Sequence, residues 1–391
     1  MRKPSFKPNR IIRASQVLEA FTALLRPRLP LDLQKTRITA DDIWYVLSYA
    51  SIHRLTVESA CTELAEAPSG NRFREVLAAA LPERRVLQRE LNTVLRGQLP
   101  KCLLKGKRDY ALAVDVVLIP YHGQPQSQDK EVVRGEAKAG TTHFHGYATI
   151  AIVHNKRRYV VALTFIELGE AMAVVVRRLL DRVKRLKIKV RRVYLDKGFC
   201  SIEVFRTLDR RGLNYVIPIP VRGRSGGVRK LFHGSCSYAT TYTFSSAEVG
   251  TYTVQAVAVR HYTKGKYGRH GVKWFAYAVA GLPDRCPPSQ VFELYRQRFG
   301  IETSYRQMNQ VRARTTSRNP TLRLLLVGLA FILVNLYVAL RDRLTTSSRA
   351  DEPPAQLWLS LRRLAFLLGR AVEQLLGVTT VVQHHPATML S

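Results

Sequence analysis

Residues 110–118 read YALAVDVVL, a short apolar run with one acid, Asp115, inside it. Two further runs rich in β-branched and aromatic residues follow at His143–Val153 and Arg158–Phe165, so three consecutive strands are expected, arranged as an antiparallel meander. Beyond them, Glu170–Leu186 carries the apolar face of a helix, and Val190–Leu195 is a fourth strand that ends at Asp196. Ser201 caps a helix running to Leu208, and Tyr215–Ile219 is a fifth strand. The order β-β-β-α-β-α-β predicts an α/β fold, a mixed sheet with helices on its faces.

Working outward, residues 221–283 again read as β, with Tyr252, Val254, Ala256 and Ala258 alternating and glycine-rich turns at Gly223–Gly227 and Gly265–Gly271. This segment is expected to be a strand-rich insertion, and 101–220 with 284–320 the mixed-sheet domain around it. Pro287-Pro288-Ser289 opens a long helix expected to end near Asn319-Pro320. The remainder, 321–391, is a C-terminal helical region whose last helix spans Leu357–Leu376. Residues 1–100 form an N-terminal helical module: Thr39 to Asp42 is a capping box, Thr56 opens a second helix, and Pro82 suits the first turn of a third, whose Val86, Leu87, Leu91, Val94 and Leu95 share a face. Such a module is either a helix-turn-helix reader or plain helical packing.

The chain has 391 residues, 46% of them hydrophobic, which excludes a mainly disordered protein. Its 62 lysines and arginines against 29 acids give +33, a field that calls for a polyanionic partner, most often nucleic acid. The five cysteines lie far apart without a CxxC pair, so neither a disulfide framework nor a zinc ribbon is signalled. The basic start (Arg2, Lys3, Lys7, Arg10, Arg13) lacks the apolar run of a secretory signal and reads as an arm on phosphates or a solvated tail. Leu324–Leu340 is uncharged for seventeen residues, at the lower edge of a bilayer span. With Asn335 inside it and no second such segment, it is expected to be a buried core helix and the protein to have no membrane association.

The chemistry concentrates in three places. A carboxylate such as Asp115 inside an apolar strand is costly unless it is paired, hydrogen-bonded or metal-bound. Asp196, at the end of the fourth strand, would lie beside it at the sheet's edge, although either acid alone also reads as a turn or capping residue. In residues 293–310, ELYRQRFGIETSYRQMNQ, Tyr295, Arg298, Glu302 and Asn309 fall at i, i+3, i+7 and i+14 and share a helical face, with Tyr305 and Arg306 close to it. Weaker signals are His143-x-His145, which lacks further ligands to complete a zinc site, and the basic glycine turns carrying Arg222 and Arg224 and Lys264 and Lys266, which suit a DNA backbone. Arg177–Arg192 holds nine basic residues and one acid, a density that favours phosphate contact. Trp274, near Lys264, Lys266 and Lys273, is either a base-stacking residue or a core tryptophan of the insertion.

At these residues the chain resembles the DDE transposases of prokaryotic insertion sequences, in the branch marked by Y-(2)-R-(3)-E-(6)-K. Tyr295, Arg298 and Glu302 fit that signature; its lysine is Asn309 here, and Arg306 or Arg312 are the basic side chains nearby. AVDVVLIPYHG around Asp115 and VYLDKGFCSIEVF around Asp196 resemble the other two blocks. The resemblance implies a ribonuclease H-like fold with a β-rich insertion before the Glu helix, and Asp115, Asp196 and Glu302 as catalytic ligands of two Mg²⁺ ions, with Mn²⁺ as a substitute. It implies double-stranded DNA as partner, both terminal inverted repeats and target, with Tyr295, Arg298, Arg306 and Asn309 of the Glu302 helix face presenting the scissile strand, a homodimer in a synaptic complex, and a prokaryotic, cytoplasmic, nucleoid-associated protein. Cut-and-paste transposition is the expected function; the alternatives are a catalytically inactive DNA-binding derivative and a metal-dependent nuclease or resolvase.

Overall fold

The computed structural model describes residues 12–29, 31–33, 36–104, 108–126, 130–154, 157–263, 271–283, 286–345 and 359–381. In chain order the helices α1 (Ala14–Leu25), α2 (Ala40–His53), α3 (Val57–Glu63), α4 (Gly70–Ala80), α5 (Arg84–Gly97) and α6 (Lys101–Leu104) come first. Strands β1 (Tyr110–Pro120), β2 (Val132–Lys138), β3 (Thr141–His154) and β4 (Arg157–Phe165) lead to α7 (Met172–Arg185), β5 (Val190–Leu195), α8 (Ile202–Asp209) and β6 (Tyr215–Pro218). Then come β7 (Tyr238–Ser246), β8 (Gly250–Thr263), β9 (Gly271–Ala280), α9 (Val291–Arg296), α10 (Gly300–Gln310), α11 (Pro320–Thr345) and α12 (Leu361–Leu376). The chain divides into two compact units, Leu99–Tyr305 and Met1–Gln98 with Arg306–Ser391, the boundary falling inside α10.

The first unit is built on one nine-stranded sheet in the order β2-β3-β1-β5-β6-β9-β8-β7, with β4 also on β3. β1, β5 and β6 run parallel, and β3 is antiparallel to β1. β2 pairs with the start of β3 (Val132 opposite His145) and β4 with the rest (Tyr147 opposite Phe165), so both lie along one side of that long strand. The meander expected from sequence is therefore present with an additional member, β2. The β-rich segment after residue 220 is continuous with this sheet: β9 pairs antiparallel with β6, Val216 opposite Val279, because Ala276–Val279 are apolar and buried like their neighbours.

The unit formed from both ends is helical. α1 and α2 pack on α12, and α5 packs on α11. The sequence reading kept 1–100 and 321–391 apart; the apolar stripe of α5 instead closes against the apolar helix α11, and each covers surface the other would expose. Leu324–Val334 of α11 are buried, and α5 approaches closely at Gly328, where a Cβ would stand 2.6 Å from Leu91 Cδ1. The Gln98 amide donates to the Ile332 carbonyl at 2.8 Å, and Asn335 is fully buried. The seventeen-residue uncharged stretch is thus the core helix of this unit. Its start is set by Asn319, whose Oδ1 accepts from the backbone of Thr321 and Leu322, with Pro320 at the first helical position.

The caps at Thr39, Thr56 and Ser201 form as the sequence indicates. The long helix expected from Ser289 to Asn319 does not: a 3₁₀ turn over Gln297–Phe299 separates α9 from α10, and the helix stops at Gln310. The last helix begins at Leu361, capped by Ser360; Leu357 lies outside the described residues, as do the arm through Arg10 and residues 264–270 with Lys264 and Lys266.

Candidate active site

Asp115 and Asp196 become neighbours through strand register. Val114 of β1 is opposite Leu195 of the parallel β5, so the next residue on each strand, Asp115 and Asp196, lies side by side where the two strands end their pairing. The helical segment comes to the same place because Tyr295 of α9 is buried among Tyr194, Val216, Tyr277 and Val279, with its hydroxyl donating to the Leu195 carbonyl at 3.3 Å. That contact is one residue before Asp196. Three residues after Tyr295, inside the 3₁₀ turn, Arg298 points into the acids.

Arg298 binds all three carboxylates. Its Nη1 donates to Asp115 Oδ2 at 2.9 Å, and its Nη2 donates to Glu302 Oε1 at 2.8 Å and lies 3.6 Å from Asp196 Oδ1. The guanidinium carbon stands 5.4 Å from the centre of the Tyr295 ring, which fixes the fork from the other side. Side-chain exposure runs from 6% at Arg298 and 13% at Asp115 to 37% at Asp196 and 46% at Glu302, so the cluster is anchored in the sheet and open to solvent at its outer two acids.

The electrostatics follow from this gradient. Burial pushes the Asp115 carboxyl up to about 6, against the pull of Arg298 and of the Val116 backbone N–H, which donates to Oδ1 at 2.8 Å; the other two acids push the same way as burial. Burial works to lower the Arg298 guanidinium, but Tyr295 and the three carboxylates outweigh it and hold it above its ordinary value. Burial also raises the Tyr295 and Tyr305 phenols, so both stay protonated. Three carboxyl groups around one guanidinium make the cluster rich in acid, an arrangement that attracts cations to its open side.

Two residues that sequence reasoning did not assign to the site hold it in place. Thr149 of β3, opposite Asp115, is fully buried and its hydroxyl is 2.7 Å from the Tyr305 hydroxyl of α10, which docks the Glu302 helix on the sheet. The signal available was a hydroxyl in the otherwise apolar run YATIAIV. Gln297 is the second: its Oε1 accepts from the Tyr194 hydroxyl at 3.3 Å.

The other candidates are distributed differently from expectation. Tyr295 and Arg298, expected to meet a DNA strand, are buried, and their polar atoms are turned to Leu195 and to the acids. Arg306 and Asn309 are exposed on the last turns of α10, and Arg222 and Arg224 are exposed after β6. Trp274 of β9 is stacked on Phe232 with ring centres 6.1 Å apart and meets Tyr238 edge-on at 6.5 Å, an aromatic packing within the β-rich segment. Of the basic run, Arg192 is buried with its guanidinium on the Gly281 carbonyl and Arg178 pairs with Glu170, whereas Arg177, Lys184, Arg185, Lys187, Lys189 and Arg191 are exposed. His145 is buried edge-on to Tyr121.

Among the described residues no group of three His, Cys, Asp or Glu stands as a ready-made metal site. At this cluster Arg298 lies against each of the three acids. The donor set nevertheless fits a hard divalent ion: it consists of carboxylate oxygens alone, and it already encloses one cation, the guanidinium.

With this geometry in view, the chain is similar to two kinds of known protein. The profile of the family described as transposase DDE domain matches residues 106–336. The cryo-EM structure of a piggyBac transposase synaptic complex with hairpin DNA is 14% identical, covers 94% of this chain and 80% of its own, and superposes with a TM-score of 0.50, a likeness of fold. Among curated proteins none matches.

Proposed function

Because the chain belongs to the DDE-domain transposases, and is thus a DNA transposase, we propose that Asp115, Asp196 and Glu302 are its catalytic carboxylates and that it moves its element by cut-and-paste. The observation that carries this reading is the meeting of the three acids, from β1, the end of β5 and α10, around one guanidinium. Enzymes of this family use divalent metal, and we assign Mg²⁺, or Mn²⁺ in its place, to these three side chains. Bound there, a pair of such ions supplies activation of the attacking oxygen and stabilisation of the leaving oxygen in an in-line phosphodiester displacement.

The protein's own contribution is positional. Sheet register sets Asp115 beside Asp196, Thr149 and Tyr305 dock the helix bearing Glu302, and Tyr295 ties its approach to Leu195. The exposed Arg222, Arg224, Arg306 and Asn309, with the basic run from Arg177, are assigned to the DNA backbone, since +33 favours phosphates wherever cations are free. We place the protein at the prokaryotic nucleoid and its working form as a dimer holding two element ends. Asp115→Asn and Asp196→Asn should each abolish end cleavage and strand transfer while leaving DNA binding intact. Retained cleavage in either variant contradicts the assignment, and cleavage without joining in the parent favours a nuclease.

A further inference from the structure

We propose that Arg298 is the resident cation of this carboxylate cluster: it holds Asp115, Asp196 and Glu302 together before a divalent ion arrives and competes with that ion for their oxygens. The inference rests on the reading of these acids as metal ligands. Arg298 is buried, and among the described residues it is paired with each of the three acids. Three like charges at this range repel, and the outer two have solvent to move into, so a fork that reaches one acid with Nη1 and two with Nη2 keeps them converged. The Tyr295 ring lies under the same guanidinium, its centre 5.4 Å from the guanidinium carbon.

The same contacts oppose a second cation. A unit positive charge 2.8–3.6 Å from the ligand oxygens disfavours a divalent ion there, and its two contacts on Nη2, to the exposed acids, are the ones an incoming ion must share or displace. A residue that merely organised the site would, on removal, weaken metal binding. A competing cation, on removal, strengthens it.

The test is Mn²⁺ titration of the full-length protein without DNA, followed by calorimetry or electron paramagnetic resonance, for the parent, Arg298→Gln, Arg298→Lys and Asp196→Asn. Arg298→Gln should bind Mn²⁺ about tenfold more tightly, the scale expected when a unit charge leaves this range. Arg298→Lys, which keeps the charge and loses the fork, should stay near the parent. In chelator, Arg298→Gln should melt below the parent, and saturating Mn²⁺ should restore it; if the variant is unfolded without metal, refolding on Mn²⁺ addition is the supporting result and failure to refold overturns the proposal. Equal or weaker Mn²⁺ binding by a folded Arg298→Gln, or equal tightening in Arg298→Lys, also overturns it. Parent-like binding by Asp196→Asn would instead fault the metal-ligand reading beneath it.

Discussion

Replacing Tyr305 by phenylalanine removes one oxygen and keeps the ring, so it isolates the hydrogen bond that docks the Glu302 helix on the sheet. The Tyr305 hydroxyl meets Thr149 Oγ1 at 2.7 Å in a fully buried setting beside Asp115. Losing a buried bond while its partner stays buried costs about 1–3 kcal/mol. In a unit of this size each kcal/mol lowers the melting midpoint by about 2–4 °C. A fall of about 2–12 °C is therefore expected for the transition of the sheet unit, followed by circular dichroism or by urea denaturation with an unchanged slope. Thr149→Val should cost a similar amount, and the double variant less than the two singles summed, because each single leaves the other group behind. A fall under 1 °C, or strictly additive singles, would refute the assignment of this pair as the dock. If the dock positions Glu302, the rate of end cleavage should fall with it while DNA affinity stays unchanged.

Three further outcomes follow from other parts of the molecule. Gly328→Leu places a side chain where even a Cβ would be 2.6 Å from Leu91, so the helical unit should lose about 1–3 kcal/mol in chemical denaturation, whereas Gly198→Ala, with open space at its Cβ, should be near neutral by that clash criterion. Burial pushes the Cys61 and Cys200 thiols up to about 12, so at pH 8 about one in ten thousand is thiolate; their alkylation by iodoacetamide, read by peptide mass spectrometry, should rise about tenfold per pH unit up to pH ~11. Binding to element ends should weaken by about 10³ to 10⁵ between 50 and 200 mM salt if six to ten phosphates are contacted, and a flat salt titration contradicts that.

The sequence carried the central sheet well and its extensions poorly, for identifiable reasons. β1, β3, β4, β5 and β6 are apolar runs bounded by turns, which is the pattern that burial imposes. β2, with the sequence VVRGEAK, is largely exposed and charged, so nothing apolar marks it as a strand. β7 alternates between intermediate and exposed residues without a buried one, which hides it in the same way. The closing of α5 on α11 joins residues more than two hundred positions apart, and no local pattern carries that. At the site, Asp115 was legible as an acid inside an apolar strand, Asp196 as the acid that ends another and Glu302 as the one acid on a polar helical face, while their grouping as a triad came from the resemblance to the transposase blocks. The fate of Arg298 was not: helical spacing puts it on the face of Glu302, but only the 3₁₀ turn and the burial of Tyr295 aim it at the acids rather than at solvent. For Trp274 the sequence left base stacking and core packing open; in the structure it is half-buried, stacked on Phe232 and edge-on to Tyr238.

The central claim is that α10 supplies the third catalytic carboxylate, and Glu302→Gln tests it most directly. The change keeps the size of the side chain and removes the charge that opposes Arg298 Nη2 at 2.8 Å. The measurement is the rate of strand cleavage on an end substrate in Mg²⁺, with DNA affinity measured alongside. The account predicts unchanged affinity and cleavage below detection; cleavage by Glu302→Gln at the parent's rate would contradict it.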